Sequence, residues 1–301
     1  MKINRFRQNV LPIAAALIWG TAFVAQSVST EFVGPFTFNM ARSAVAFLFL
    51  LGFCLIRRAW QRKQGSEASA EQRPNRKLLI SGLCCGTALT VASFLQQKGL
   101  ETTTSGKAGF ITALYIVIVP LMGLFLKKKA PRAIWISVAL AVVGLYCLCV
   151  TEGFSIATGD FYVLLCAVCF SVHILVIDHF SAYVDGISLS CVQFLVVTIL
   201  SAIGMLATEV FSREAIMLCL GPILYVGIFS SGVAYTLQIV AQKGSNPTVV
   251  SLLLSLESVF ATLAGAVILK DTMSVREIFG CVLMLAAVVL AQLPQNDKIR
   301  S

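Results

Sequence analysis

Residues 78–97 read LLISGLCCGTALTVASFLQQ, an apolar run without a single charge, and it passes directly into Lys98-Gly99. A second apolar run, at 216–240, closes on Gln242-Lys243-Gly244, and Gly82 matches Gly227 at the same offset as the two Gln-Lys-Gly signatures. A stretch of about 20 apolar residues is long enough to cross the hydrocarbon core of a bilayer. The composition of the chain decides between a membrane span and a buried core helix. Of 301 residues 58% are hydrophobic and 12% are charged, and the mean hydropathy is +0.88. A water-exposed surface cannot be built from so few charges, so lipid is the solvent for most of this surface.

Working outward, apolar runs fall at 10–29, 36–57, 78–97, 104–126, 133–151, 158–179, 187–209, 216–240, 246–269 and 275–292. Turn and cap chemistry separates them: Gly34-Pro35 before the second, Pro131 before the fifth and Asn246-Pro247 at the ninth. Proline suits a first helical turn because its missing N–H has no partner there in any case. The basic N-terminal segment is followed by a run long enough to span, and is read as a retained first helix.

Further matches tie the first five runs to the last five. Ala113-Leu114-Tyr115 aligns with Ser255-Leu256-Glu257, Gly123 with Gly265, and Pro35 to Arg42 with Gly186 to Gln193. An odd number of spans per copy makes the second copy enter from the opposite side. The expected fold is therefore an all-α integral membrane protein of ten transmembrane helices. They form two inverted five-helix repeats over 1–151 and 158–292, with a tail at 293–301. Such symmetry places a site near the midplane between the halves and suits alternating access. With the N-terminus in the cytoplasm, 17 Lys and Arg fall on inner segments and 5 on outer ones, leaving Arg42 within the second helix. The positive-inside rule then puts both termini in the cytoplasm.

The same facts exclude several function classes. The net charge of +9 is concentrated in loops, where it encodes orientation, so nucleic acid is not an expected partner; the 57–77 loop is a lipid-facing topology signal. Ten cysteines lie almost entirely in apolar runs and act as small hydrophobes. Cys166, Cys169, His173 and His179 do not make a recognised metal set, and no metal or cofactor is expected. The chain has no phosphate-binding loop of the Walker type and no paired-carboxylate or Ser–His set at helical spacing, so it is not read as an enzyme; an intramembrane enzyme or a non-transporting membrane scaffold is the alternative to a carrier. The partners expected are a small-molecule substrate and the lipid bilayer, and the plan is compatible with a homodimer.

An ionisable group inside a bilayer is a functional candidate because it costs about 2.5–3.5 kcal/mol to place there. Glu257 lies roughly 16 Å deep and Arg42 roughly 9 Å deep from opposite faces, at about 1.5 Å per residue. In a core about 30 Å thick their heights differ by about 5 Å. Two readings stand side by side. In one, Glu257 receives a substrate amine or a proton and Arg42 anchors a carboxylate. In the other, the two pair with each other or with polar neighbours and hold the halves in register. Trp19, Tyr115, Thr90 and Ser171 lie at similar depth and are candidate cavity residues, with helix packing as the alternative. Gln96, Gln97 and Gln242 sit near run ends and read as interfacial, and Lys107 reads as snorkelling outward.

Leu17-Ile18-Trp19-Gly20-Thr21-Ala22-Phe23, followed by Gly34-Pro35-Phe36 and Arg42, resembles the start of an EamA-type transporter of the drug/metabolite transporter superfamily. Pro247, Glu257 and Leu269-Lys270-Asp271 resemble the family's second repeat. The family's usual glutamate after the fourth and ninth helices is replaced by Lys128 and Asp271. The resemblance implies a ten-helix, two-repeat carrier with a central cavity lined by helices one to four and six to nine. It also implies transport of amino acids, other metabolites or drugs, usually outward, in a bacterial inner membrane.

Overall fold

The computed structural model describes residues 5–64, 75–126, 131–149, 157–264 and 274–292. The expected tail at 293–301, Lys128 and Asp271 lie outside these residues. Among them every regular element is helical. In chain order these are α1 (Arg5–Ser29), α2 (Pro35–Lys63), α3 (Arg76–Leu100), α4 (Ser105–Ala113), α5 (Tyr115–Phe125), α6 (Arg132–Cys149), α7 (Thr158–Phe180) and α8 (Gly186–Thr208). They continue with α9 (Arg213–Leu218), α10 (Leu220–Tyr225), a π-helical segment (Val226–Ala234), α11 (Tyr235–Gln242), α12 (Pro247–Leu254), α13 (Glu257–Ala264) and α14 (Val275–Gln292). Among the described residues eight helices and helix stacks are long and apolar enough to cross a membrane, and Arg132–Leu148 and Pro247–Leu263 are shorter apolar ones. The chain is a multi-pass membrane protein.

The helix starts follow local chemistry. Pro35 opens α2 and Pro247 opens α12. The Asn246 side chain accepts from the Thr248 amide at 2.9 Å, and the Asn75 side chain accepts from the Leu78 amide at 2.8 Å. Each bond satisfies an amide that a helix N-terminus leaves without an intrahelical acceptor. Large apolar side chains such as Leu48, Ile56, Leu83, Leu206 and Val289 are exposed on the outside of the bundle. Small residues including Ala15, Ala16, Ala22 and Ala46 are fully buried inside it. That distribution suits a bundle bathed in lipid, where close packing of small residues replaces the hydrophobic drive between helices.

The helices pair across the chain's midpoint. α2 lies along α8, α6 along α14 and α3 along α7, while α1 packs on the stack from α10 to α11 and on α12 and α13. Besides the run at 216–240, which breaks at Cys219 between α9 and α10, two of the apolar runs are not continuous helices. The run at 104–126 breaks at Leu114, between α4 and α5, and the run at 246–269 breaks at Ser255-Leu256, between α12 and α13. Each break is a tight turn: the Leu114 amide donates to the Ile111 carbonyl and the Leu256 amide to the Leu253 carbonyl, an i−3 bond in place of i−4.

Candidate functional site

The two breaks face each other. Tyr115 is the first residue of α5 and Glu257 the first of α13, and each is 4% exposed. The Tyr115 hydroxyl donates to Glu257 Oε1 at 3.1 Å. These are the residues matched to each other in the sequence comparison of the halves. α1 crosses this point closely: a Cβ on Gly20 would lie 2.6 Å from the Glu257 carbonyl oxygen. Any side chain at position 20 therefore pushes α1 away from the break, and glycine is required there.

A cavity of about 480 Å³ of atom-free space opens beside this contact. The first half contributes Trp19, Phe23, Gln26, Arg42, Gln96, Thr112 and Tyr115 to its wall, and the second half Phe170, Ile174, Ser230, Tyr235, Gln238, Leu254 and Glu257. Each half supplies seven residues, so the space belongs to the interface between them. Arg42 is 4% exposed. Its Nε donates to Asn39 Oδ1 at 2.9 Å, and its guanidinium carbon lies 5.7 Å from the centre of the Phe38 ring, within cation–π range. Among the described residues no carboxylate stands at ion-pair distance from Arg42. The direct Arg42–Glu257 pair that the depths allow is not formed. Both groups face one cavity from different halves, and the terminal guanidinium nitrogens are left for another partner.

The aromatic side of the wall is fixed by the π-helical segment. Trp19 Nε1 donates to the Ser230 carbonyl at 3.3 Å, and the Trp19 and Tyr235 rings meet at 4.8 Å between centroids. A π turn is wider than an α turn and leaves backbone carbonyls to outside donors, which is why such turns recur at functional sites. Gln96 Nε2 donates to Thr112 Oγ1 at 3.3 Å. Gln26 and Gln238 each keep a buried side-chain oxygen without a hydrogen-bond partner.

Four of the six residues singled out in the sequence therefore converge: Glu257, Arg42, Trp19 and Tyr115. Thr90 and Ser171 are not part of the wall. Thr90 Oγ1 donates to the Gly86 carbonyl and Ser171 Oγ to the Ala167 carbonyl, each at 2.7 Å. These are i−4 bonds within their own helices, the alternative weighed for polar residues at packed interfaces. The interfacial reading of the glutamines is corrected. Gln96, Gln97 and Gln242 are buried. Gln97 Nε2 donates to the Gln26 carbonyl at 3.0 Å, and Gln242 Nε2 to the Ile174 carbonyl at 2.9 Å. Lys107 has a partner: its Nζ lies 2.7 Å from Asp160 Oδ2. His173 is fully buried and meets Gln193 Oε1 through Nε2 at 3.1 Å. Sequence reasoning missed Tyr235, Gln238 and Gln26 as wall residues. Their signal was a polar group inside an apolar run, the same signal that singled out Thr90.

The EamA-like transporter family model matches this chain twice, over residues 8–150 and 157–293. An Archaeoglobus fulgidus protein named an uncharacterized transporter is 32% identical over 92% of this chain and 83% of its own length. A Methanothermobacter thermautotrophicus protein of the same name is 23% identical over 92% of this chain and 84% of its own length. A solved protein crystal structure superposes with a TM-score of 0.74, covering 95% of this chain and 96% of that one at 20% identity, and shares the fold. With both five-run segments matched by one family model, the chain belongs to the EamA-like transporter family.

Proposed function

We propose that this membrane transporter is a secondary or facilitated carrier, working outward by alternating access on small organic solutes such as amino acids or drugs. One observation carries the reading: a guanidinium from one half and a carboxyl from the other face a single cavity without pairing. Burying either group unpaired is costly, and a solute carrying both a carboxylate and an amine relieves both costs at once. The aromatic wall of Trp19 and Tyr235 suits the apolar part of such a solute.

The ten-span, inverted-repeat plan is part of this proposal, and two features support it. α1 packs on the stack from α10 to α11 as α7 packs on α3. Gln97 and Gln242, at matched positions, each bond a carbonyl in the first helix of their own half. The pseudo-twofold axis then runs between Tyr115 and Glu257, and the halves rock about it, opening the cavity first to one face and then to the other. The excess of Lys and Arg on inner segments supports cytoplasmic termini, in a bacterial inner (cell) membrane.

The test is flux in proteoliposomes against a panel of amino acids, nucleosides and amphiphilic cations. Protein-dependent counterflow of at least one amine-bearing solute is expected. Glu257→Gln is expected to lower that flux at least tenfold with near-normal expression. Absence of counterflow across the whole panel overturns the reading, and wild-type flux by Glu257→Gln at every pH reduces Glu257 to a packing role.

A further inference from the structure

A second groove lies far from the central cavity, at the end of the bundle where α3 begins and α7 ends. It is lined by Lys77, Ile80, Ser81, Phe180 and Tyr183 and holds about 500 Å³ of atom-free space. Its wall is almost wholly apolar, and it is open to the outside of the bundle. Ile80 is 44% exposed and Tyr183 65% exposed, and the neighbouring Leu79 and Leu83 are exposed apolar residues of the same helix. Such a wall suits a hydrocarbon chain.

The rim carries the opposite chemistry. Lys77 and its neighbour Arg76 stand exposed in the first turn of α3. Among the described residues no carboxylate lies at ion-pair distance from Lys77. The positive end of a 25-residue helix adds to the same field. Phe180 and Tyr183 gather round His179, with ring centroids 4.8 Å and 6.0 Å from it. Aromatic rings with a polar edge are characteristic of the level where hydrocarbon meets headgroups. In the orientation proposed above this end is cytoplasmic, the leaflet that is richest in anionic lipid.

We propose that this groove binds one anionic phospholipid, with an acyl chain on Ile80, Phe180 and Tyr183 and the phosphate held by Lys77. The apolar wall selects a lipid over a soluble anion. The Lys77 ammonium selects a net-negative headgroup over a zwitterionic one, whose own cation already neutralises its phosphate.

Native mass spectrometry of the purified full chain, exchanged into mixed phosphatidylglycerol and phosphatidylcholine, tests the site. Wild-type protein is expected to retain one phosphatidylglycerol selectively. Lys77→Gln should lower that preference about fivefold, the value of one basic group near a membrane surface, and Lys77→Arg should keep it. Ile80→Trp, which fills the groove, should lose the retained lipid with Lys77 intact. Equal retention of both lipids by the wild type overturns the proposal, as does an unchanged preference in Lys77→Gln. Retention by Ile80→Trp equal to wild type overturns the acyl-chain placement, and it decides the matter if Lys77→Gln does not fold. Displacement of the lipid by glycerol 1-phosphate at equal concentration contradicts a lipid site and leaves only an anion site.

Discussion

The two ends of the bundle are built on matched residues and closed by different chemistry. At one end the Gly159 backbone lies against Gly99, where a Cβ on Gly159 would come within 2.4 Å of the Gly99 carbonyl oxygen. Beside it Asp160 accepts from the Thr103 hydroxyl, from the Ala157 amide at 2.9 Å and from Lys107 at 2.7 Å. At the other end the matched carbonyl, that of Gly244, accepts from Gln8 Nε2 at 3.3 Å, and Asn9 donates to Gln292 Oε1 at 3.2 Å. One closure is a nearly buried ion pair with added hydrogen bonds. The other is a pair of neutral amide contacts. Under the proposed repeat, the two closures differ in strength where the halves open. In the proposed orientation the charged closure is the outer one, and the weaker inner closure is the one a cytoplasmic solute meets first.

Removing the charge at Asp160 should have the largest effect on this contrast. Its side chain is 8% exposed and that of Lys107 20%. Breaking a fully buried pair costs about 3–5 kcal/mol, and the partial exposure of Lys107 brings the expected loss for Asp160→Asn to about 2 kcal/mol. A lower unfolding midpoint in detergent, together with faster labelling of the outer end by an impermeant reagent, is the expected outcome. An unchanged midpoint and unchanged labelling would make the two closures equivalent.

Next in size is Glu209→Gln. The carboxylate at the end of α8 accepts from the amides of Phe36 and Thr37, both at 2.8 Å, and from the Thr37 hydroxyl at 2.6 Å. It caps a helix of the other half with a favourable charge at the positive end of the dipole. Glutamine keeps part of the bonding and loses the charge, a loss of about 1 kcal/mol, visible as a smaller fall in the same midpoint.

The matched position at the opposite end supplies the smallest effect. Ser188, the counterpart of Thr37, donates its amide and hydroxyl to Asp185 at 3.0 Å and 2.9 Å, and Arg57 reaches Asp185 from α2 at 3.1 Å. Both side chains of that ion pair are 27% exposed. Arg57→Gln should cost about 0.5 kcal/mol, since a half-solvated pair contributes little and the local cap survives. A loss larger than that of Glu209→Gln would reverse the ranking of the two ends.

Much of this arrangement can be read from the sequence. The apolar runs mark the helices, and Gly34-Pro35 and Asn246-Pro247 mark two of their starts. The paired Gln-Lys-Gly signatures and the Tyr115–Glu257 match identify positions that bond equivalently or meet. Depth along a helix is also legible, which is why Glu257, Arg42, Trp19 and Tyr115 meet at one cavity. Azimuth is not. Thr90 and Ser171 have the right height, but a helix apolar on every side gives no periodicity to say which face turns inward. Long-range polar partners are hidden for a similar reason. Lys107 finds Asp160 and Gln97 finds Gln26 only once distant helices are packed, so polar residues near run ends read as solvated. The breaks at Leu114 and Ser255-Leu256 carry no glycine or proline at the turn itself and depend on the packing around them.

The inverted arrangement is tested most directly by the sidedness of its duplicated signature. Single cysteines can replace Lys98 and Lys243, the middle residues of the two Gln-Lys-Gly motifs, in a background without native cysteines. They are then probed with an impermeant maleimide on intact and permeabilised cells. Lys98→Cys should react from outside on intact cells and Lys243→Cys only after permeabilisation. Labelling of both from the same side would contradict two antiparallel halves.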